Sequence, residues 1–213
     1  LAFARFNLRD LFQGLWRIIV LPDILINDYI GRSGAGPALF NAALCSGAAV
    51  CALQLARISP SGPAIAAVFT IAGFSFFGKN IVNIWPVGLG VLLYSRLSRR
   101  PFSDNILVAL FGTALAPLFS EIAFGLGIAA PWNLASAFAA SVAAGMILPP
   151  LAKHVLDFHR GYNLYNIGFA AGFVGTVTMS LLKAFGVELS DSWVWSNSGP
   201  FPALLVLIPF FVA

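Results

Sequence analysis

Apolar residues run along this chain in long blocks, and polar residues are confined to short interruptions between them. The blocks cover about residues 11–30, 37–56, 61–77, 84–95, 105–128, 131–152, 167–182 and 201 onward. In hydrocarbon every backbone N–H and C=O must be satisfied within the segment or by a closed barrel, so blocks of this kind read as helices. Their Ala, Gly and Ser content lets helix backbones approach closely. The pattern predicts an all-α fold, a polytopic transmembrane helical bundle. A full span needs about 20 residues, so two blocks are short. The block from Ile84 ends at Arg96, and the block from Ile167 ends before Lys183.

Both short blocks follow the same seven-residue phrase. Gly78-Lys79-Asn80-Ile81-Val82-Asn83-Ile84 and Gly161-Tyr162-Asn163-Leu164-Tyr165-Asn166-Ile167 each read G-x-N-x-x-N-I, and they begin 83 residues apart. Polar side chains inside apolar sequence are costly, and interrupted helices at matching places in two halves point to a solute site. A weaker echo matches at five of seven places: Ala38 to Leu44 against Ala109 to Leu115, offset by 71. The chain therefore reads as a single membrane domain over 1–213 containing a duplication. Residues 1–36 form an interfacial amphipathic region, 37–100 a first repeat and 101–186 a second. Residues 187–213 form an outer loop, with Trp193 and Trp195 as interfacial anchors, and the start of a further span. A chain that begins at Leu1 and ends inside an apolar run reads as a fragment of a longer protein.

Charge supplies orientation. Arg96, Arg99 and Arg100 follow the first short block, Lys153 and Arg160 precede the second copy of the phrase, and Arg57 precedes the first. If these ends are cytoplasmic, the acidic Glu188 to Asp191 segment is external and the two halves become inverted repeats. Composition agrees with the membrane class, since only 9% of residues are charged, against about 25% in soluble domains. The 12 basic and 8 acidic side chains are scattered, so they mark topology and no nucleic-acid face. Cys45 and Cys51 lack metal or disulfide spacing.

The candidate solute site comprises Gly78, Lys79, Asn80 and Asn83 with Gly161, Tyr162, Asn163 and Asn166. Asn caps helix starts and Gly permits a tight turn, while a helix start exposes N–H groups. Lys79 stands where the other copy has Tyr162, so the halves differ. Its ammonium is expected either to attract an anion, to pair with Glu121, or to reach an interface. Glu121 is the candidate for proton or ion coupling. The competing reading of the Asn residues is plain interhelical hydrogen bonding. His154, Asp157 and His159 lack the i, i+4 geometry of a helical metal site and read as an interfacial loop, so neither metal nor cofactor is expected. Asp23 and Asp28 either line a vestibule or break a helix at Pro22. Gly168 and Gly172 are expected to allow close backbone packing. Pro149-Pro150 is expected to kink or end its helix.

The stretches Leu21 to Ile30, Phe77 to Asn80 with Asn83 to Pro86, and Gly161 to Gly172 resemble a bacterial membrane family known as DUF1576, a domain of unknown function. The resemblance runs from about Asp10 to Gly186 and implies a multi-pass protein of a bacterial inner membrane without supplying a reaction. The paired phrases also resemble the half-helix arrangement of aquaporins and urea channels, although the Asn-Pro-Ala signature is absent. The resulting expectation is a channel or transporter for a small polar or anionic solute, partnered by the lipid bilayer, with a homo-oligomer admissible. A membrane-embedded enzyme using His154, Asp157, His159 and Glu121 is the alternative, and a structural or partner-binding subunit is the third reading.

Overall fold

A computed structural model of the chain describes residues 7–22, 27–160, 166–184 and 186, and among these all regular structure is helical. Helix α1 (Leu8–Ile19) starts at Asn7, whose side chain accepts from the Arg9 amide. It buries Gly14, Leu15 and Ile18 and exposes Leu8, Phe12 and Trp16 along one stripe. Such a two-sided helix suits a membrane interface. Gly14 seats the ring of Pro37, where any larger residue would collide with it. Helix α2 (Tyr29–Ser33) is capped by Asp28, which accepts from the Gly31 amide at 2.9 Å. Asp28 thus starts a helix, whereas Asp23 lies outside the described residues.

Helix α3 (Ala35–Leu55) turns at Arg57 into α4 (Gly62–Phe74), whose start is capped by Ser61. A loop over 75–83 joins α4 to α5 (Ile84–Leu97). A near-continuous helical run, Phe102–Gly125, follows. It contains α6 (Ile106–Gly112), a tight 3-10 turn, α7 (Ala116–Ser120) and a π-helical turn at Glu121–Gly125. Helices α8 (Trp132–His159) and α9 (Asn166–Ala184) complete the described chain.

Four segments are long and apolar enough to cross a membrane: Ala35–Leu55, Phe102–Gly125, Trp132–Phe158 and Asn166–Ala184. The chain is a membrane protein with an all-helical bundle. The Phe102–Gly125 run lies at its centre, mostly covered by the other helices, while the other three spans leave most of their surface outward. Exposed Leu, Ile, Phe and Trp side chains on those outer faces suit lipid rather than water.

Helices α4 and α5 have 13 and 14 residues, reaching only about 20 Å at about 1.5 Å per residue, short of a hydrocarbon core of about 30 Å. Helix α4 packs chiefly on α3 and α5 chiefly on α8, and both also meet α6 rather than each other. Ala52 of α3, Leu92 of α5 and Phe102 line one cavity, and Asn105 donates to the Ser95 hydroxyl at 3.0 Å. The end of α3, the start of α4 and the end of α5 therefore lie at the same end of the bundle. Exposed Arg57, Arg96, Arg99 and Arg100 gather there. The segment α4, loop, α5 enters and leaves at that basic end, so its loop sits inside the bundle.

The tightest helix crossing is α5 against α8. A methyl group on Gly90 would strike the Val142 carbonyl, and one on Gly145 would strike the Val87 carbonyl. Close packing was expected instead at Gly168 and Gly172. At Gly172 nothing lies within 4 Å of a Cβ position, and Gly175 meets only the Leu115 side chain at 3.4 Å. Gly168, Gly172 and Gly175 line a cleft, and at Gly172 no described backbone comes close.

Two further expectations change. Helix α8 runs through Pro149 and Pro150 to His159, so the prolines do not end it. His154 and Asp157 consequently sit on an exposed helix end, not in a loop. The block expected to be short after the second phrase is the 19-residue α9, long enough to span. Only the first phrase is followed by a short helix.

A candidate solute site at the first motif

The spacing of the first motif has a local explanation. The Asn80 Oδ1 accepts from the amides of Val82 and Asn83 at 3.0 and 2.9 Å, and the Asn83 Oδ1 accepts from the Asn80 amide at 2.8 Å. This reciprocal bonding three residues apart is a capping box, with Asn taking both roles. It satisfies amide donors that otherwise would be orphaned inside an apolar bundle. Gly78 precedes it with φ of 155°, a conformation that residues with a Cβ rarely adopt. In the first copy, G-x-N-x-x-N thus forms a tight turn followed by a self-capped helix start.

Tertiary bonds then fix the loop in place. The Asn83 Nδ2 donates to the Gly78 carbonyl and to the Ser120 hydroxyl, both at 3.0 Å. From α3, the Asn41 Nδ2 donates to the carbonyls of Ser75 at 2.8 Å and Lys79 at 2.7 Å. The Asn41 Oδ1 accepts from the Ile81 amide at 3.2 Å. The Tyr29 amide, at the start of α2, donates to the Phe76 carbonyl at 3.1 Å. Asn41, Thr113 and Ser120 were not among the candidate residues. Asn41 carried the same signal as the motif, a carboxamide within a predicted span.

Lys79, Asn80 and Asn83 are all fully buried. Lys79 does not reach an interface. Its Nζ donates to the Thr113 hydroxyl at 2.8 Å and stands 4.9 Å from the centre of the Phe74 ring. The hydroxyl in turn donates to the Leu110 carbonyl at 2.6 Å. Hydroxyl and ring are neutral partners, and among the described residues no carboxylate is paired with this ammonium. Glu121 is also buried, but its carboxyl group lies against Gly125 in the π-helical turn. Thr113, which holds the Lys79 Nζ, and Glu121 are eight residues apart on the central run, roughly 12 Å at about 1.5 Å per residue.

One polar atom in this cluster has no protein partner. The Asn80 Nδ2 is buried and unbonded. The buried Ser141 hydroxyl on α8 and the Asn166 Oδ1 at the start of α9 are likewise unbonded. Unpaired buried groups are uncommon and costly, on the order of 1–3 kcal/mol each.

Two cavities are walled by partners of Lys79, though Lys79 itself lines neither. One, of about 360 Å³, lies between α3 and α5 over α6, and its wall includes Cys45, Trp85, Ile106 and Thr113. The other, of about 570 Å³, lies between α4 and α9 over the opposite face of α6, and includes Phe74, Thr176, Ser180 and Lys183. Thr113 walls the first and Phe74 the second, and the ammonium touches both residues.

Of the second motif, Gly161, Tyr162 and Asn163 lie outside the described residues, and Asn166 opens α9. No group of three or more His, Cys, Asp or Glu among the described residues is placed to hold a metal ion. Cys45 is a free buried thiol and Cys51 a free exposed one.

The motif and the spans around it match a family described as a protein of unknown function, DUF1576, over residues 7–184. The chain belongs to the DUF1576 family. No curated protein and no solved structure matches it. In this DUF1576 protein the matched region includes every described helix, the re-entering loop and both copies of the motif.

Proposed function

We propose that this protein is a channel or transporter of the inner membrane of a bacterium, and that it moves a small anionic or polar solute past Lys79. One observation carries the reading: an ammonium buried completely, held only by a hydroxyl and an aromatic ring. Keeping a cation in such a place is expensive unless it is matched by an anion. The unbonded Asn80 Nδ2 beside it in sequence adds a donor, and a donor and a cation together fit an anionic oxygen. The ammonium's partners Thr113 and Phe74 each wall a cavity, although Lys79 itself is fully buried and lines neither.

The order of elements supports inverted repeats. A span, a second helix, the motif and a third helix occur twice: α3, α4 and α5, then the central run, α8 and α9. Helix α3 ends at the basic end of the bundle while the central run begins there, so the corresponding elements run in opposite senses. The first half carries the site, since its motif lies between half-length helices, whereas α8 and α9 are long enough to span. Asn163, Asn166, Tyr162 and Gly161 belong to the proposal as the counterpart motif, and Glu121, in a π-helical turn next to Ser120, as its coupling group. A homo-oligomer is compatible with the exposed apolar faces.

A second reading has its own observation. Both side-chain atoms of Asn83 are bonded to protein, which fits a structural lock. Under it, Asn83 builds the loop and Lys79 serves the solute. Uptake of a panel of small anions into proteoliposomes separates the two. Loss of uptake in Lys79→Gln with normal folding supports the transport reading, and unchanged uptake of every transported solute contradicts it.

A further inference from the structure

We infer that the anion is amphipathic: a medium-chain carboxylate whose hydrocarbon chain occupies the cavity between α3 and α5 and whose carboxylate meets Lys79. This rests on the reading of Lys79 as an anion site and adds the class of substrate. The cavity, about 360 Å³, is walled almost wholly by hydrocarbon: Ala48, Ala49, Ile71, Leu89, Leu92 and Phe102. A water-soluble ion finds no partner there. The lining does contain Cys45 and Thr113, and the Thr113 hydroxyl is the one that holds the Lys79 Nζ.

Position along the helices makes the cavity elongated. On α3 its lining runs from Cys45 to Ala52, and on the central run from Phe102 to Thr113, or about 10 and 16 Å at 1.5 Å per residue. Thr113 and Cys45 stand at the deep end, and Phe102 and Ala52 at the basic end. Trp85 and Phe138, 55% and 46% exposed, also border it, so it opens sideways between helices toward lipid. An apolar tube with a cation behind one end wall complements a molecule with one charged end.

Charge selects the head group. A single buried ammonium with one hydroxyl matches one negative charge, whereas a phosphate ester carries about −1.5 to −2 at neutral pH and leaves part of it unmatched. A carboxylate carries the single charge. Lys79 is fully buried behind Thr113 and does not itself line the cavity, so the carboxylate meets it as the Thr113 side chain gives way, replacing neutral partners by an ionic one.

Native mass spectrometry with dodecanoate and dodecanol tests this. Dodecanoate is expected to bind the wild-type protein at least tenfold more tightly than the alcohol. In Lys79→Met the two should bind equally. Gly88 borders the cavity and has nothing within 4 Å of a Cβ position, so Gly88→Leu fills the cavity without a collision at its first carbon and should remove both ligands. If either variant fails to fold, Lys79→Gln and Ala48→Leu repeat the comparison. Equal binding of acid and alcohol to the wild type marks a seat for bulk lipid tails and overturns the inference. Retention of dodecanoate in Gly88→Leu also overturns it. Lys79-dependent uptake of a small inorganic anion by a protein that ignores dodecanoate overturns the substrate class alone and leaves the transport reading standing.

Discussion

The Lys79 ammonium donates to the Thr113 hydroxyl across 2.8 Å, in a place where neither residue is exposed to any extent that would hydrate the charge. Lys79 comes from a loop that re-enters the bundle, and Thr113 from the short 3-10 turn that interrupts the central helix. The two departures from α-helix meet. A regular helix at 113–115 would satisfy its backbone in the same way, so the break is no requirement of span formation; its effect is to present Thr113 beside the loop.

Asn41 holds two carbonyls and one amide of that loop. Asn41→Ala leaves these groups buried without partners, at about 1–3 kcal/mol for the worst of them. Membrane hydrogen bonds measured individually are weaker, about 0.6 kcal/mol on average. The expected loss for Asn41→Ala is about 2 kcal/mol, read by steric-trapping unfolding in bilayers. A loss no larger than that of Ser46→Ala, whose hydroxyl only bonds back to Ala42 in its own helix, would contradict the clamp.

The Asn83 and Ser120 side chains join the loop to the central run. A double-mutant cycle of Asn83→Ala and Ser120→Ala should give a coupling between about 0.6 and about 1.7 kcal/mol, the average and the maximum seen for interhelical bonds in membranes. Additive effects would mean that the loop is positioned without this bond.

Two nearby glycines on α5 differ in kind. Gly90 faces the α8 backbone, and Gly88 faces space. Gly90→Ala should destabilise by about 1–3 kcal/mol through overpacking. Gly88→Ala should be neutral or stabilising by up to about 1 kcal/mol, because Ala is the better helix former. Thermal unfolding in detergent ranks them, and equal behaviour would refute the α5–α8 crossing.

How much of this was readable beforehand follows from which interactions are local. The N-x-x-N spacing is a capping box made within four residues, so the sequence alone disclosed a helix start and a break before it. The apolar blocks likewise disclosed α3, α4 and the central run to within a few residues, because hydrocarbon forces helices wherever it is long enough. Asn41 and Thr113 were not legible as partners of the loop, since their bonds span 34 to 40 residues of chain. Lys79 was visible as an anomaly, but its depth depended on packing. Close packing was expected at Gly168 and Gly172 from spacing, yet it occurs at Gly90 and Gly145, because spacing states where a backbone can be approached and only the partner helix decides where it is. The second motif was expected to mirror the first. Its flanking helices are full length, so similar phrases follow different helices.

Stability and function should separate at Lys79. Replacing a buried ammonium with an apolar side chain of similar length removes a desolvation cost, so Lys79→Met is expected to unfold no more readily than wild type, and to gain up to a few kcal/mol. A fall in stability comparable to that of Asn41→Ala would assign Lys79 to the framework.

The most direct test of the central claim is anion uptake into proteoliposomes by wild type and Lys79→Met, with folding verified in the same samples. Lys79→Met is expected to fold at least as stably and to lose uptake by about tenfold or more. Uptake at the wild-type rate in a folded Lys79→Met protein would contradict it.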